Sequence, residues 1–350
     1  MNTTIKAAPL PLPDFFDPSK VAEIWRVPYA LRMEQAQSAA RRLGITPAAS
    51  DRVKIGFMPI DVQLTFCHPQ AALFVGGRSG RGALDDTVRT AEFIYRNARA
   101  LTRVIPTMDT HTAFQIFHPV FWVNEKGEHP APFTMITLDD VESGRWQVNP
   151  AMAWSVLGDA AKFGYLSQFG LHYVRQLTKG GKYPLMVWPY HAMLGDIDHA
   201  LVPLLQEAVF YHSMLRSSQT DYRIKGGNPL TENYSVLRPE VLIDQRGEAI
   251  AQKNSRFIEA LLTYDHLVIG GQAKSHCVAW AIEDLLTDIN ARDPELAKKV
   301  YLVEDLSSPV VTPVHDFTDD ADKAFERFAA AGMHVVRSTD PIESWPGISF

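Results

Sequence analysis

HLVIGGQAKSHCVAWAIEDLL, residues 266–286, sets two periodicities back to back. Residues 266–272 are a short apolar run ending in paired glycines, the pattern of a buried β-strand, and residues 278–286 place apolar side chains at helical spacing. Cys277, one of only two cysteines in the chain, stands at the junction. A thiol there lies close to a helix N-terminus, whose free N–H groups and positive dipole end favour a thiolate. The same N–H groups can hold a developing oxyanion. The competing reading is a buried cysteine acting as a small hydrophobe. The rest of the chain decides between them.

Working outward, the strand-to-helix pattern repeats. Residues 53–61 form a compact apolar run with an acid at its end, and 85–102 carry a helical stripe of Ala91, Phe93, Ile94, Ala98 and Leu101. Residues 103–109 (RVIPTMD) read as a second strand, again ending in an acid, and 183–188 (YPLMVW) as a third. A helix is expected over 203–215, strands over 266–272 and 300–306, a helix over 321–331 and a last strand over 334–338. This alternation predicts an α/β fold with three αβα layers around a mostly parallel sheet. In such sheets ligands sit at the carboxyl ends of the strands, where Asp61, Asp109, Trp188 and the Cys277 turn all fall. Residues 1–52 read as an N-terminal arm: 9–16 are Pro-rich and aromatic, and 21–43 are expected to be helical up to Gly44. Residues 53–350 read as one domain. Its 114–181 segment, rich in aromatics, His and Pro, is expected to be a lid-like insertion over the site. The GGRSGRG loop at 76–82 lacks the Lys-Ser/Thr ending of a phosphate loop.

Composition narrows the function. With 350 residues, 46% hydrophobic and 21% charged, the chain is an ordinary globular protein with a large core. A net charge of −6 gives no basic footprint for nucleic acid or an anionic membrane, and no apolar stretch is long enough to span a bilayer. The N-terminus, with three prolines by residue 16, lacks the apolar core of a secretory signal. Cys67 and Cys277 make no disulfide framework, so a reducing cytoplasm is the expected location.

A cysteine nucleophile needs a base, a cation and oxyanion donors. Asp61, in IDVQLTF, and Lys225, in YRIKGGNPLTENYS, supply the types, although each alone also reads as a turn former or a solvated charge. Together the segments resemble the isochorismatase-like cysteine hydrolases, and among them the nicotinamidases most. Five motifs in order carry the resemblance: Asp61-Val62-Gln63-Leu64-Thr65-Phe66, Asp109-Thr110-His111, Trp188-Pro189-Tyr190-His191, Lys225-Gly226 leading to Tyr234-Ser235, and Gly271-Gln272-Ala273-Lys274-Ser275-His276-Cys277-Val278. It extends from about residue 53 to the C-terminal strand.

The resemblance implies a catalytic triad of Asp61, Lys225 and Cys277, a cis peptide before Ala273, and an oxyanion hole made by the N–H groups of Ala273 and Cys277. It implies Asp109, His111 and His191 as ligands of a divalent metal, zinc first and iron or manganese as alternatives. His118, His129 and His199 stand as possible additional ligands. Phe66 and Trp188 match aromatic positions that stack a flat substrate, and core packing is their alternative role. Cys67 reads as a bystander. The implied activity is hydrolysis of a small carboxamide, nicotinamide or similar, to carboxylate and ammonia through a thioester. The expected partners are that small molecule and further copies of the chain in a homo-oligomer, with neither nucleic acid nor membrane.

Two departures lie near the implied pocket. Ala192-Met193-Leu194-Gly195 replaces the family's Cys-Val-Gln-Gly, and Gln272 stands where an aliphatic residue is usual. They leave open a ureido, biuret-like or other heterocyclic amide as substrate, or a catalytically silent ligand-binding relative. Isochorismate-type ether cleavage is disfavoured, because that branch does not use the cysteine nucleophile retained here.

Overall fold

The computed structural model describes residues 9–180 and 183–349. The first eight residues of the expected arm, and the end of the expected insertion at 181, lie outside the described residues.

Five strands form the central sheet, in the order His334–Val336, Val300–Val303, His266–Gly271, Ile55–Ile60, Leu101–Val104. All four pairings are parallel. Successive side chains of a strand point to opposite faces, and the burial divides accordingly. Ile55 and Phe57, with Val268, Tyr301 and Val303, pack into one apolar core beside the helices Gly82–Asn97 and Pro203–Arg216. Met58 and Ile60, with Leu267, Ile269, Val300 and Leu302, pack into a second core beside Ser255–Leu262, Ala279–Arg292 and Thr318–Ala330. Both faces are covered, which explains why the strands read as near-continuous apolar runs. The molecule is the three-layer α/β fold that the alternation predicts.

The helix expected over 85–102 ends at Asn97, so that Leu101 begins a strand, and the strand expected over 300–306 ends at Val303. Three further expected elements differ because of proline. The single strand over 103–109 is two, because Pro106 offers no N–H to a ladder; beyond it Thr107–Asp109 leaves the main sheet and pairs in parallel with Arg223–Lys225. The strand over 183–188 is not in the parallel sheet. Bracketed by Pro184 and Pro189, only Leu185–Met186 is extended, and it pairs antiparallel with Met135–Ile136. The helix over 21–43 is a turn at Pro18–Ala22 and a helix at Tyr29–Leu43, separated at Pro28. That helix ends at Gly44 as expected, in the left-handed conformation at φ 60°. It packs on Pro203–Arg216, where Arg32 Nε meets Glu207 Oε1 at 2.6 Å in a buried ion pair.

The 114–180 stretch folds around a core of its own aromatics. Trp122–Val123 and Gln147–Val148 form an antiparallel pair beneath the helix Phe163–Gly180, with Trp122, Phe169 and Tyr173 fully buried. Among the described residues, no helix is long and apolar enough to cross a membrane.

Candidate active site

The carboxyl ends of three strands meet at one point. Ile60, the last residue of its strand, is in register with Gly271, the last of its neighbour. Gly271 has φ 122°, and a Cβ there would lie 2.2 Å from the Ile60 carbonyl oxygen, so only glycine allows the approach. Asp61 follows immediately, and the chain after Gly271 turns through a cis Gln272–Ala273 peptide into a π-helical turn, Lys274–Val278, that holds Cys277. Gln63 ties the third strand end in place. Its Nε2 donates to the Asp109 carbonyl at 2.9 Å, and its Oε1 accepts from the Asp109 N–H at 2.7 Å. In the side sheet Asp109 is in register with Lys225.

These constraints bring the expected triad together. Asp61, Lys225 and Cys277 are all buried. Lys225 Nζ lies 3.0 Å from Asp61 Oδ2, 2.9 Å from Asp109 Oδ1 and 3.5 Å from Cys277 Sγ, and donates to the Asn233 carbonyl at 2.8 Å. The Thr107 hydroxyl donates to Asp61 Oδ1 at 2.5 Å. Burial drives the Lys225 ammonium toward its neutral form, but Asp109, Asp61 and Cys277 outweigh it and hold the amine well above its usual range. Burial raises the Asp61 carboxyl against the pull of Lys225, and raises the Cys277 thiol well above its ordinary value. Asp109 goes the other way: His111 and Lys225 overcome burial and hold it well below the carboxylate range. Of the two buried carboxylates on Lys225, Asp61 is the stronger base.

A histidine group adjoins the triad. His111, His118 and His191 are buried, and one ligand atom from each falls within 4.8 Å of the others. In all three rings Nδ1 faces a backbone carbonyl: His191 O at 3.2 Å, Ala113 O at 3.2 Å and Pro189 O at 2.8 Å, respectively. A carbonyl only accepts, so each Nδ1 carries a proton and each ring, when neutral, presents its Nε2 lone pair, as metal-binding imidazoles do; burial lowers His111, but Asp109 outweighs it and raises the ring above its ordinary value. His111 Nε2 and His118 Nε2 have no hydrogen-bond partner among the described residues. Asp109 lies against the group, its Oδ1 3.1 Å from His111 Nε2 and its Oδ2 3.7 Å from His191 Nε2. Burial pushes His118 down to about 3, so it stays a neutral donor ligand. The residues therefore fit a divalent cation. His118, a possible ligand by sequence, joins the group. His199 instead bonds the Thr110 hydroxyl at 2.8 Å, and His129 the Trp122 carbonyl at 2.8 Å.

A cavity with about 380 Å³ of empty space, counted out into the solvent at its mouth, opens onto Cys277, Asp109 and His191. Phe66 and Trp188 line it with Ala273. Among the described residues, no hydrogen bond is formed by the Ala273 N–H. Leu73, Val75 and Val310 line the cavity too, while the 114–180 stretch contributes no lining residue and reaches the site through Phe117, His118 and Phe133, packed on His111, Tyr190 and Trp188. The sequence reading missed Glu232, Tyr234 and His276, which also line the cavity. Tyr234 stood inside a matched motif. Glu232 lies in the same polar loop, and its burial, which pushes it up to about 8, has no sequence signal. Cys67 is buried away from the cavity, its thiol raised by burial.

Fold and site thus define a three-layer α/β protein with a buried Asp–Lys–Cys cluster beside a carboxylate–imidazole group. No family model matches the sequence, and neither does any curated protein. Among solved structures, the chain is similar to a nicotinamidase/pyrazinamidase of Acinetobacter baumanii at 18% identity and a TM-score of 0.49, covering 83% of this chain and 99% of that one. It is similar to the yeast nicotinamidase Pnc1p bound to the inhibitor nicotinaldehyde at 17% identity and a TM-score of 0.49, covering 81% and 99%. A pyrazinamidase of Pyrococcus horikoshii in complex with zinc is similar at 14% identity and a TM-score of 0.42, again covering 81% and 99%.

Proposed function

We propose that the chain is a cysteine-dependent amidohydrolase that cleaves a small carboxamide, nicotinamide or a similar ring amide, to carboxylate and ammonia. One observation carries the reading: a buried ammonium, Lys225 Nζ, lies 3.0 Å from Asp61 and 3.5 Å from the Cys277 sulfur at the wall of an aromatic cavity. A structural role for this trio would leave an acid and a thiol buried around one cation for no gain, because burying charge is costly.

Asp61, lifted by burial, takes the thiol proton, and Lys225 offsets the negative charge left on sulfur. The thiolate attacks the carbonyl carbon, forming the C–S bond, and the carbonyl electron pair moves onto oxygen. The N–H groups of Ala273 and Cys277 are the donors for that oxyanion. Collapse of the adduct breaks the C–N bond, with Asp61 returning its proton so that ammonia leaves. Asp61 then deprotonates a water that hydrolyses the thioester, releasing the carboxylate and restoring the thiol. Phe66 and Trp188 stack the ring and keep bulk water out. Asp109, His111 and His191, with His118, would hold a divalent metal, for which zinc, iron or manganese suit the donors; bound there, it supplies a Lewis acid at the cavity wall.

The test is ammonia release from a panel of small carboxamides that includes nicotinamide and ureido compounds. Wild type is expected to release ammonia, and Cys277→Ala to lose turnover by at least about 10³-fold with an unchanged circular dichroism spectrum. Ammonia from ureido compounds alone would keep the chemistry and change the substrate. No ammonia from any amide, together with Cys277 alkylation by iodoacetamide no faster than a buried thiol, would sink the reading.

A further inference from the structure

The turn after the strand His266–Gly271 is held by its backbone N–H groups. Gly271 donates to Ser307 Oγ at 3.0 Å, Gln272 to the Ile60 carbonyl at 2.7 Å and Lys274 to the Ser308 carbonyl at 2.8 Å. Ala273 stands between them and lines the cavity with Cys277, and its N–H has no acceptor among the described residues. The side chain of Gln272 adds a further anchor. It is fully buried and is not part of the cavity wall. Its Nε2 donates to Asp86 Oδ2 at 2.9 Å, while its Oε1 has no partner among the described residues. A buried amide with an unpaired oxygen costs stability, so filling space does not account for a glutamine there. The bond to Asp86 does.

Asp86 lies on the helix Gly82–Asn97, is buried, and does not line the cavity either. Arg89 Nη2 donates to its Oδ1 at 2.6 Å, and Arg89 Nε donates to the Asp305 carbonyl at 2.5 Å. The Ser308 side chain bonds the same carboxyl. The carboxyl is thus fixed both to the helix and to the chain that follows the strand Val300–Val303. The planar peptide unit that carries the Ala273 N–H begins at the Gln272 carbonyl. Anchors on the Gln272 side chain and on the Lys274 N–H therefore restrict its rotation from both ends.

We propose that Asp86 is a positioning residue: through Gln272 it aims the Ala273 N–H at the oxygen of the adduct formed on Cys277. A donor held in place before the charge develops stabilises that oxygen more than one that must first reorient. Asp86 itself touches neither substrate nor reacting atoms. Its consequence for turnover rests on the amidohydrolase reading; the anchoring of the turn does not.

Gln272→Met keeps the length and removes the amide, and Asp86→Leu removes the acceptor. Each is expected to lower kcat for nicotinamide about tenfold per folded protein, with KM within about twofold. The two act through one bond, so the double variant should be no slower than the slower single. Asp86→Asn should keep most of the rate, because the Gln272 amide can turn over and present its unpaired Oε1 to the new N–H group. Pyridine-3-carbaldehyde reads the oxyanion donor more directly. The Cys277 sulfur adds to its carbonyl carbon, the carbonyl electron pair moves onto oxygen, and that oxygen takes the proton given up by the thiol, with no leaving group. Its inhibition constant should rise about as much as kcat falls, and that of pyridine-3-carboxylate should stay within about twofold. Unchanged kcat in Gln272→Met, an equal loss in Asp86→Asn, or an aldehyde affinity that does not follow kcat would overturn the positioning role. If nicotinamide is not turned over, the amide panel judges the amidohydrolase reading, and amide hydrogen exchange judges the anchor. Residues 271–278 should exchange faster in Gln272→Met than in wild type, with residues 82–97 unchanged. Equal exchange over 271–278 overturns it.

Discussion

Lys225 is the side chain on which the site's charge balance turns. Its ammonium faces two carboxylates and a thiol, all buried. Without it, the neighbouring acids would be held neutral by desolvation and nothing would favour a thiolate over a thiol. Lys225→Met, close in length and without charge, is therefore expected to lower kcat by at least about 10²-fold and to slow iodoacetamide alkylation of Cys277. Unchanged alkylation would mean that the cation does not govern the thiol. The imidazole group makes a separate prediction. A ligand that binds the folded state alone raises stability with its concentration, so micromolar zinc added to chelator-treated protein should raise Tm by several degrees. His111→Ala should abolish that rise, and an equal rise in the variant would place the ion elsewhere.

At the scale of elements, the site depends on where strands stop. Pro106 ends one ladder, and the chain then pairs Thr107–Asp109 with Arg223–Lys225, which sets Asp109 beside Lys225. Gly226, at φ 92°, follows so closely that a Cβ would lie 2.8 Å from Asp109 Oδ1 and 2.9 Å from His111 Nε2, which explains the glycine of the Lys-Gly motif. The helix Pro203–Arg216 backs the Leu101–Val104 strand, and His212 Nε2 on it donates to the Leu101 carbonyl at 2.9 Å. Burial pushes His212 down from 6.5 to about 4. As pH falls the unfolded chain takes up this proton first. The stability contributed by neutral His212 is therefore complete above about 6.5 and is lost progressively toward about 4. In urea melts, wild type should lose on the order of 3 kcal/mol relative to His212→Gln across that window and nothing between pH 7 and 8. Parallel pH curves would show that His212 is not the group responsible.

Across the whole molecule, the order of strands and helices was legible because both faces of the sheet are covered, so apolar runs mark strands and amphipathic stripes mark helices. That Asp61, Lys225 and Cys277 come together was legible because each lies at or just beyond a strand end in a short motif. Less legible was anything set by long-range packing. The side sheet, the pairing of Leu185–Met186 with Met135–Ile136 and the burial of Glu232 and His276 join residues far apart in sequence, and no local pattern encodes such partners. The arm is a further case. Periodicity suggested its helix but not its place, which the Arg32–Glu207 pair fixes at 2.6 Å, with the Arg32 guanidinium 3.8 Å from the centre of the Phe15 ring. Glu207 is almost fully buried, and burial raises its carboxyl despite Arg32. Removing one member of a buried pair leaves an uncompensated charge, whereas removing both leaves an apolar contact. Arg32→Met should therefore cost about 3 kcal/mol in urea melts. Adding Glu207→Leu should recover most of that loss, and ammonia release by the folded protein should be unchanged in both. If the double variant is as unstable as the single, the arm is held by the shape of its helix and not by this charge, and the aromatic contacts of Phe15 become the ones to probe.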